Sequence, residues 1–286
     1  AQALSKQSKT KENDLLARRL HSIEDFFLGN WLNLSEKTRS IVEQMFFGFG
    51  DRFMRDPLYS LFNSDNGIPV EPEDTIKGKI IVINLPYLIY ENTGRDGQVL
   101  FKYVWQRAMQ RRKIKETSRP TFLWADECHY FVSDHDIDHQ STARSYRACT
   151  VYLTQNIPNF GLHFGGGDRG SYQFKALAGN LGTKFFHANS DVETNEYAAD
   201  LVGKSLQWVQ SEGQSIGDSM GFNEGSSQSL LHTIEPSEFA RQKTGGPLNN
   251  YEVQTVIHRL VIPFHSTGRN HALFSINQKY LNNDNR

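Results

Sequence analysis

The residues best equipped for chemistry lie in one stretch, "TFLWADECHYF" at positions 121–131. A short β-prone run leads directly into Asp126 and Glu127. Two carboxylates at the C-terminal end of a buried strand suit phosphoryl transfer. The first can hold magnesium through water, and the second can polarise the attacking water. A second run, "CTVYLTQN" from Cys149, ends near Gln155, whose amide can bond a γ-phosphate or the lytic water. Arg144 and Arg147 fall on a helical segment just before it. An exposed arginine there suits either a finger reaching a neighbouring subunit's nucleotide or a surface ion pair.

Such a site needs a loop to hold the phosphates, and three glycine patterns fail to provide one. "VGKS" at 202–205 ends like a Walker A motif, but Ala198 stands where its first glycine belongs, and the pattern follows a helix instead of a strand. Gly78-Lys79-Ile80 lacks the hydroxyl that would reach magnesium. "GGGDRG" at 165–170 fits G-x-G-x-x-G formally, yet the preceding "IPNFGLHF" is no buried strand, so a flexible loop is expected. The phosphate cradle is absent from these patterns.

Two further clusters have chemical readings of their own. His135 and His139 are four apart and would share a helix face, which opens a zinc reading together with Cys128 and His129. Adjacent Cys128 and His129 would point to opposite sides of a strand, and Asp134, Asp136 and Asp138 give the segment the composition of a solvated acidic loop. Residues 102–119 carry Lys102, Arg107, Arg111, Arg112, Lys113, Lys115 and Arg119 against one acid, Glu116. That pattern is a solvated helix face, or in a ring-shaped motor a surface for DNA phosphates, with Arg107, Arg111 and Arg112 as the candidate contacts.

The elements that must position these residues follow from periodicity. From Asp14 to about Leu61, apolar residues recur every three or four positions, with Asn33 or Ser35 placed to cap a second helix. From Gly78 the texture changes: "KIIVINLP" reads as a buried strand, and strands then alternate with helices to about residue 202. This predicts an α/β fold with a mostly parallel sheet, preceded by a helical segment. The expected division is 1–77 helical and 78–286 α/β. Hairpin-like strands are expected over 205–231, and a final β pair around 253–264 and 272–276.

Composition excludes some classes. A formal charge of -1 gives no support for bulk affinity to nucleic acid, so any polyanion contact has to come from a local patch. No apolar run approaches the roughly 18–20 residues that span a bilayer. Cys128 and Cys149 read as buried free thiols.

The quoted segments, taken with "LSEKTRSIVEQ", "IKGKIIVINLP", "LAGNLGTKFFHANSDVETNEYAADLVGK" and "EFARQKTGG", resemble the type IV coupling proteins of bacterial conjugation. This is the TraD/TraG-like class, related to the FtsK/HerA branch of RecA-like motors. The resemblance spans about residues 30–265 and is most specific in "GNLGTKFF…SDVETNEYAADLVG". It implies a RecA-like P-loop NTPase core and a homo-hexameric, DNA-translocating ATPase using ATP and Mg2+. Such a motor delivers single-stranded DNA and its relaxase to type IV secretion components at the cytoplasmic face of the bacterial inner membrane. By position, Asp126 and Glu127 are its Walker B pair, Gln155 its motif glutamine and Arg144 its finger candidate.

The family's membrane anchor and Walker A segment would lie upstream of residue 1, so the chain is expected to be the C-terminal portion of a longer motor and inactive alone. A shortened or degenerate relative, acting as a non-catalytic secretion-system scaffold, is the alternative. A zinc-dependent hydrolase built on His135 and His139 is a more remote one.

Overall fold

A computed structural model describes residues 11–63, 67, 69–216 and 220–279. Residues 1–13 are polar in sequence, and the first ten of them lie outside the described residues. The chain divides into two compact units, residues 1–69 with 84–97, and residues 70–83 with 98–286.

In the first unit α1 (Lys11–Glu24) runs into a π-helical stretch, Asp25–Trp31, and α2 (Glu36–Phe53) and α3 (Leu58–Phe62) follow. Ser35 caps α2 by accepting the Thr38 N–H at 3.2 Å, one of the two caps expected from the sequence. The apolar stripe that predicted α2 stays at the surface: Met45 and Phe46 are 73% and 70% exposed. Residues 84–97 join this unit because Leu58, fully buried, meets Leu85 and Gly97. A Cβ on Gly97 would lie 2.5 Å from Leu58 Cδ2, so a glycine lets the helix approach that closely. The observed division therefore differs from a boundary at 77/78.

The second unit holds the sheets. Strands β1 (Thr121–Ala125) and β2 (Ala148–Tyr152) pair in parallel, Thr121 opposite Ala148 and Ala125 opposite Tyr152. The chain passes between them through α5 (Asp134–Thr142) and a 3-10 turn, Ala143–Tyr146. After β2 come α6 (Ile157–His163), α7 (Gly167–Asn180), β3 (Thr183–His187) and α8 (Val192–Val202). Then follow the hairpin β4 (Lys204–Ile216) and β5 (Met220–His232), the short α9 (Pro236–Ala240), and β6 (Glu252–Arg259) with β7 (His271–Asn277). The fold is α/β, with its parallel component in β1–β2; β3–β6–β7 and β4–β5 are antiparallel.

Capping residues explain the helix starts. Asn156 accepts the Asn159 N–H at 3.0 Å to open α6, and Asp191 accepts the Thr194 N–H at 2.8 Å to open α8. The "GGGDRG" loop forms a tight turn into α7, with Gly165, Gly166 and Gly167 all at positive φ. The glycine of "VGKS" closes α8 at φ 94, which is incompatible with a phosphate loop after a strand. The core beneath β1 and β2 consists of Cys128, Ile157, Phe160, Phe164, Phe174, Leu177 and Ala178.

One expected strand is not formed. Residues 79–86 take no regular secondary structure and join no ladder, and Ile80 and Val82 are 92% and 82% exposed. β-branched residues fit a pleated surface only where a neighbour supplies the ladder and the packing, and no described strand does so here.

Candidate active site at the strand ends

The parallel pairing of β1 and β2 brings both predicted strand ends to one edge. Past the strands, the Leu153 N–H donates to the Ala125 carbonyl and the Cys128 N–H to the Leu153 carbonyl, both at 2.9 Å. These bonds fold the chain after Ala125 into a turn, and Glu127 takes a left-handed conformation, φ 48 and ψ 42. A glutamate adopts that region at a cost, which is tolerated where the surroundings fix it. The Asp126 carboxylate accepts the Glu127 N–H at 3.0 Å and is exposed.

Glu127 and Gln155 meet across the two ends. The Gln155 Nε2 donates to Glu127 Oε1 at 2.9 Å. The other oxygen, Oε2, is buried and has no hydrogen-bond partner among the described residues. It lies 3.6 Å from His129 Nδ1, which is 3.0 Å from Thr154 Oγ1. Burial pushes the His129 pKa below its ordinary value, against the opposing pull of Glu127, so the imidazole is neutral near pH 7.

The loop after β3 completes the support. Asn189 Nδ2 donates to the Gln155 carbonyl at 2.6 Å, and the Asn189 carbonyl accepts from Asn195 Nδ2 at 2.9 Å. The Ile157 N–H donates to Thr194 Oγ1 at 2.9 Å, tying the start of α6 to α8. Asn189 stands in the "HANSD" part of the segment that most specifically carried the resemblance, but its chemistry was not legible there. His129 was legible only as a zinc candidate.

Beneath the site lies a buried polar cluster that the sequence pattern did not reveal. Asp136, fully buried, accepts from Lys102 Nζ, from Gln106 Nε2 at 2.7 Å, from the Tyr152 hydroxyl at 2.6 Å and from the Ser133 N–H at 2.7 Å. Burial opposes its charge, yet Lys102 and the donors from Tyr152 and Gln106 hold its carboxyl below the usual range. Lys102 therefore does not belong to a solvated basic face, and 134–138 is a helix start and not an acidic loop: Ser133 and Asp136 form its capping box.

The remaining candidates lie elsewhere. Arg144 is exposed in the turn before β2, at the opposite end of the parallel pair from Glu127 and Gln155. Arg147 is in the left-handed region and donates to the Glu116 carbonyl at 3.0 Å and to the Ser118 carbonyl. Arg107 and Arg111 are exposed on α4 (Tyr87–Arg111), Arg107 bonding Gln110 at 2.9 Å. Arg112 ties the end of that helix to β1, donating to Thr121 Oγ1 at 3.2 Å and to the Arg119 carbonyl at 2.7 Å. His135 and His139 share α5, but no group of three or more metal-ligating side chains converges among the described residues. Cys128 and Cys149 are free thiols, and burial pushes the Cys128 pKa up to about 12. No described helix is long and apolar enough to cross a membrane.

Comparison with known proteins bears on residues 120–244, which match the family described as "TraM recognition site of TraD and TraG". No curated protein matches the chain. The solved structures similar to it include a bacterial conjugative coupling protein, TrwBdeltaN70 in an unbound form. The TM-score is 0.42 at 13% identity, with 65% of this chain and 37% of that one covered. The matched stretch begins one residue before β1 and contains Asp126, Glu127, His129, Gln155 and Asn189. Over residues 120–244 the chain is therefore similar to the family of the conjugative coupling proteins TraD and TraG.

Proposed function

We propose that this chain carries the water-activating half of an ATP-hydrolysing, RecA-like motor that moves DNA during conjugation. The observation that carries the reading is the Glu127–Gln155 contact at the C-terminal ends of two parallel strands, with Asp126 exposed beside it. Ligand sites of open α/β sheets lie at that edge.

The donor set fits a magnesium nucleotide in part. Asp126 offers a hard, exposed oxygen that would hold Mg2+ through water. The Glu127 carboxylate, held beside Gln155 at the strand ends, would accept a proton from water. Gln155 orients Glu127 through Oε1 and would turn the rest of its amide to the same water. Bound ATP would supply the phosphoryl group and the metal its charge neutralisation. No described loop forms the phosphate cradle, so in this reading another segment of the full reading frame supplies it.

The wider roles belong to the same reading. These are a homo-hexamer with Arg144 facing a neighbour's nucleotide, single-stranded DNA held by Arg107, Arg111 and Arg112, and docking to a relaxase and to secretion components at the inner membrane. The exposure of Arg144, Arg107 and Arg111 supports them, while the structural bonds of Arg112 make it the weakest of these contacts. The family description adds a TraM-type partner for residues 120–244.

The test uses the longest reading frame containing this chain. It should hydrolyse ATP faster with single-stranded DNA, and Glu127→Gln should abolish hydrolysis while leaving nucleotide binding intact. Hydrolysis that survives the substitution rules the reading out.

A further inference from the structure

A buried imidazole lies directly under the acid–amide pair and touches both strand ends. His129 is 3% exposed and sits two residues after Glu127, in the 3-10 turn Cys128–Tyr130. Its Nδ1 is 3.0 Å from Thr154 Oγ1 and 3.6 Å from Glu127 Oε2. The Thr154 hydroxyl is directed at the Asn156 carbonyl at 3.4 Å, which leaves its lone pairs to accept from the ring N–H. Thr154 directly precedes Gln155, so one ring links the turn that carries the acid to the strand end that carries the amide. Tyr130 and His163 flank the ring at centroid distances of 4.3 and 5.5 Å and hold it from the other sides.

We propose that His129 is a positioning residue for Glu127, and that Thr154 anchors its ring; this rests on the hydrolytic reading of Glu127. At 3.6 Å the ring nitrogen is too far from Oε2 for a hydrogen bond but close enough to fill the space beneath it. The ring therefore closes off one orientation of the carboxylate. Oε1 is committed to Gln155, and Oε2 is held over the ring, so the carboxylate keeps one orientation. Removing the ring opens a cavity beneath Oε2. The carboxylate can then sink into it, and the bond to Gln155 no longer selects one rotamer. A base displaced by about 1 Å loses rate without losing substrate affinity, so the effect falls on turnover.

The test measures steady-state ATP hydrolysis and thermal melting of the longest reading frame. The wild type is compared with His129→Ala, His129→Asn, Thr154→Val and Glu127→Gln. His129→Ala and Thr154→Val are expected to lower kcat about 10- to 100-fold, with KM for ATP nearly unchanged. His129→Asn places an amide N–H near the original Nδ1 and is expected to recover most of the loss. If His129→Ala melts early, Thr154→Val, which keeps the side-chain volume, decides.

Wild-type kcat in a folded His129→Ala or Thr154→Val protein overturns the proposal, as does an Asn variant no better than Ala. A rise in KM with unchanged kcat also overturns it, because the ring would then serve binding. Hydrolysis unaffected by Glu127→Gln, or none in the wild type, marks failure of the parent reading, and His129 then has no base to position.

Discussion

Asn189 Nδ2 donates to the backbone carbonyl of Gln155 at 2.6 Å, joining the loop after β3 to the end of β2 although 34 residues separate them in sequence. This bond holds the backbone of the residue whose side chain meets Glu127. Asn189→Ala should therefore act on turnover through Gln155, with a loss of about 10-fold or more in kcat in the longest reading frame. Gln155→Ala should cost at least as much, and the two losses should not add, since both remove the same orientation. Additive losses in that double-mutant comparison would show that Asn189 acts elsewhere.

The Lys102–Asp136 pair should be costly to break from one side only. Lys102→Met leaves a buried carboxylate without its counter-charge, and a destabilisation of about 3–5 kcal/mol is expected from urea unfolding. Asp136→Asn strands the Lys102 ammonium and should cost a similar amount. Lys102→Met combined with Asp136→Asn should cost less than the sum, because no uncompensated charge then remains. A double-variant cost equal to the sum of the two single costs would mean that the pair is solvated.

His139 predicts an acid sensitivity with a defined window. It is fully buried, and neither ring nitrogen has a hydrogen-bond partner among the described residues. Burial first, then the neighbouring His135, pushes its pKa down from 6.5 to about 4, against the pull of Asp136. The folded state thus binds fewer protons than the unfolded chain between those two values. Stability is fully present above pH 6.5 and falls as the pH drops towards 4, by on the order of 3 kcal/mol. His139→Phe keeps a ring beside Trp105 and should flatten this dependence, read as urea midpoints at pH 5 and pH 7.5. An unchanged slope would assign the sensitivity to other groups.

Cys128 should be chemically silent while the protein is folded. It is fully buried, and burial pushes its pKa up to about 12, so almost no thiolate exists at pH 8. A thiol-reactive probe at pH 8 should label it only after denaturant is added, and mass spectrometry of the peptide containing Cys128 reads this directly. Rapid labelling of the native chain would mean that the turn after β1 opens.

Much of the architecture was legible because its signals are local. Ser35 sits where a side-chain oxygen can reach an orphan amide three residues on, and it starts a helix as expected; Asn156 does the same for α6, a helix not anticipated from the sequence. The strand over 121–125 and the acids after it follow from β-prone residues running into Asp126 and Glu127. The segment 79–86 carried the same β-branched pattern but forms no strand, because a parallel ladder depends on a neighbour distant in sequence. Lys102 and Asp136 misled for a related reason. A charged residue looks solvated until its partner, 34 positions away, is brought against it.

The sequence by itself determined the α/β character, the acid pair, the candidate glutamine and the likeness to coupling proteins, since residue type and short-range spacing suffice for these. The tertiary structure alone decided that Gln155 bonds Glu127, that Arg144 lies at the other end of the strands, and that His129, Thr154 and Asn189 surround the pair. Those facts depend on the register of β1 against β2 and on the return of the β3 loop. Register and loop return are set by packing over long stretches of chain, which neighbouring residues do not encode.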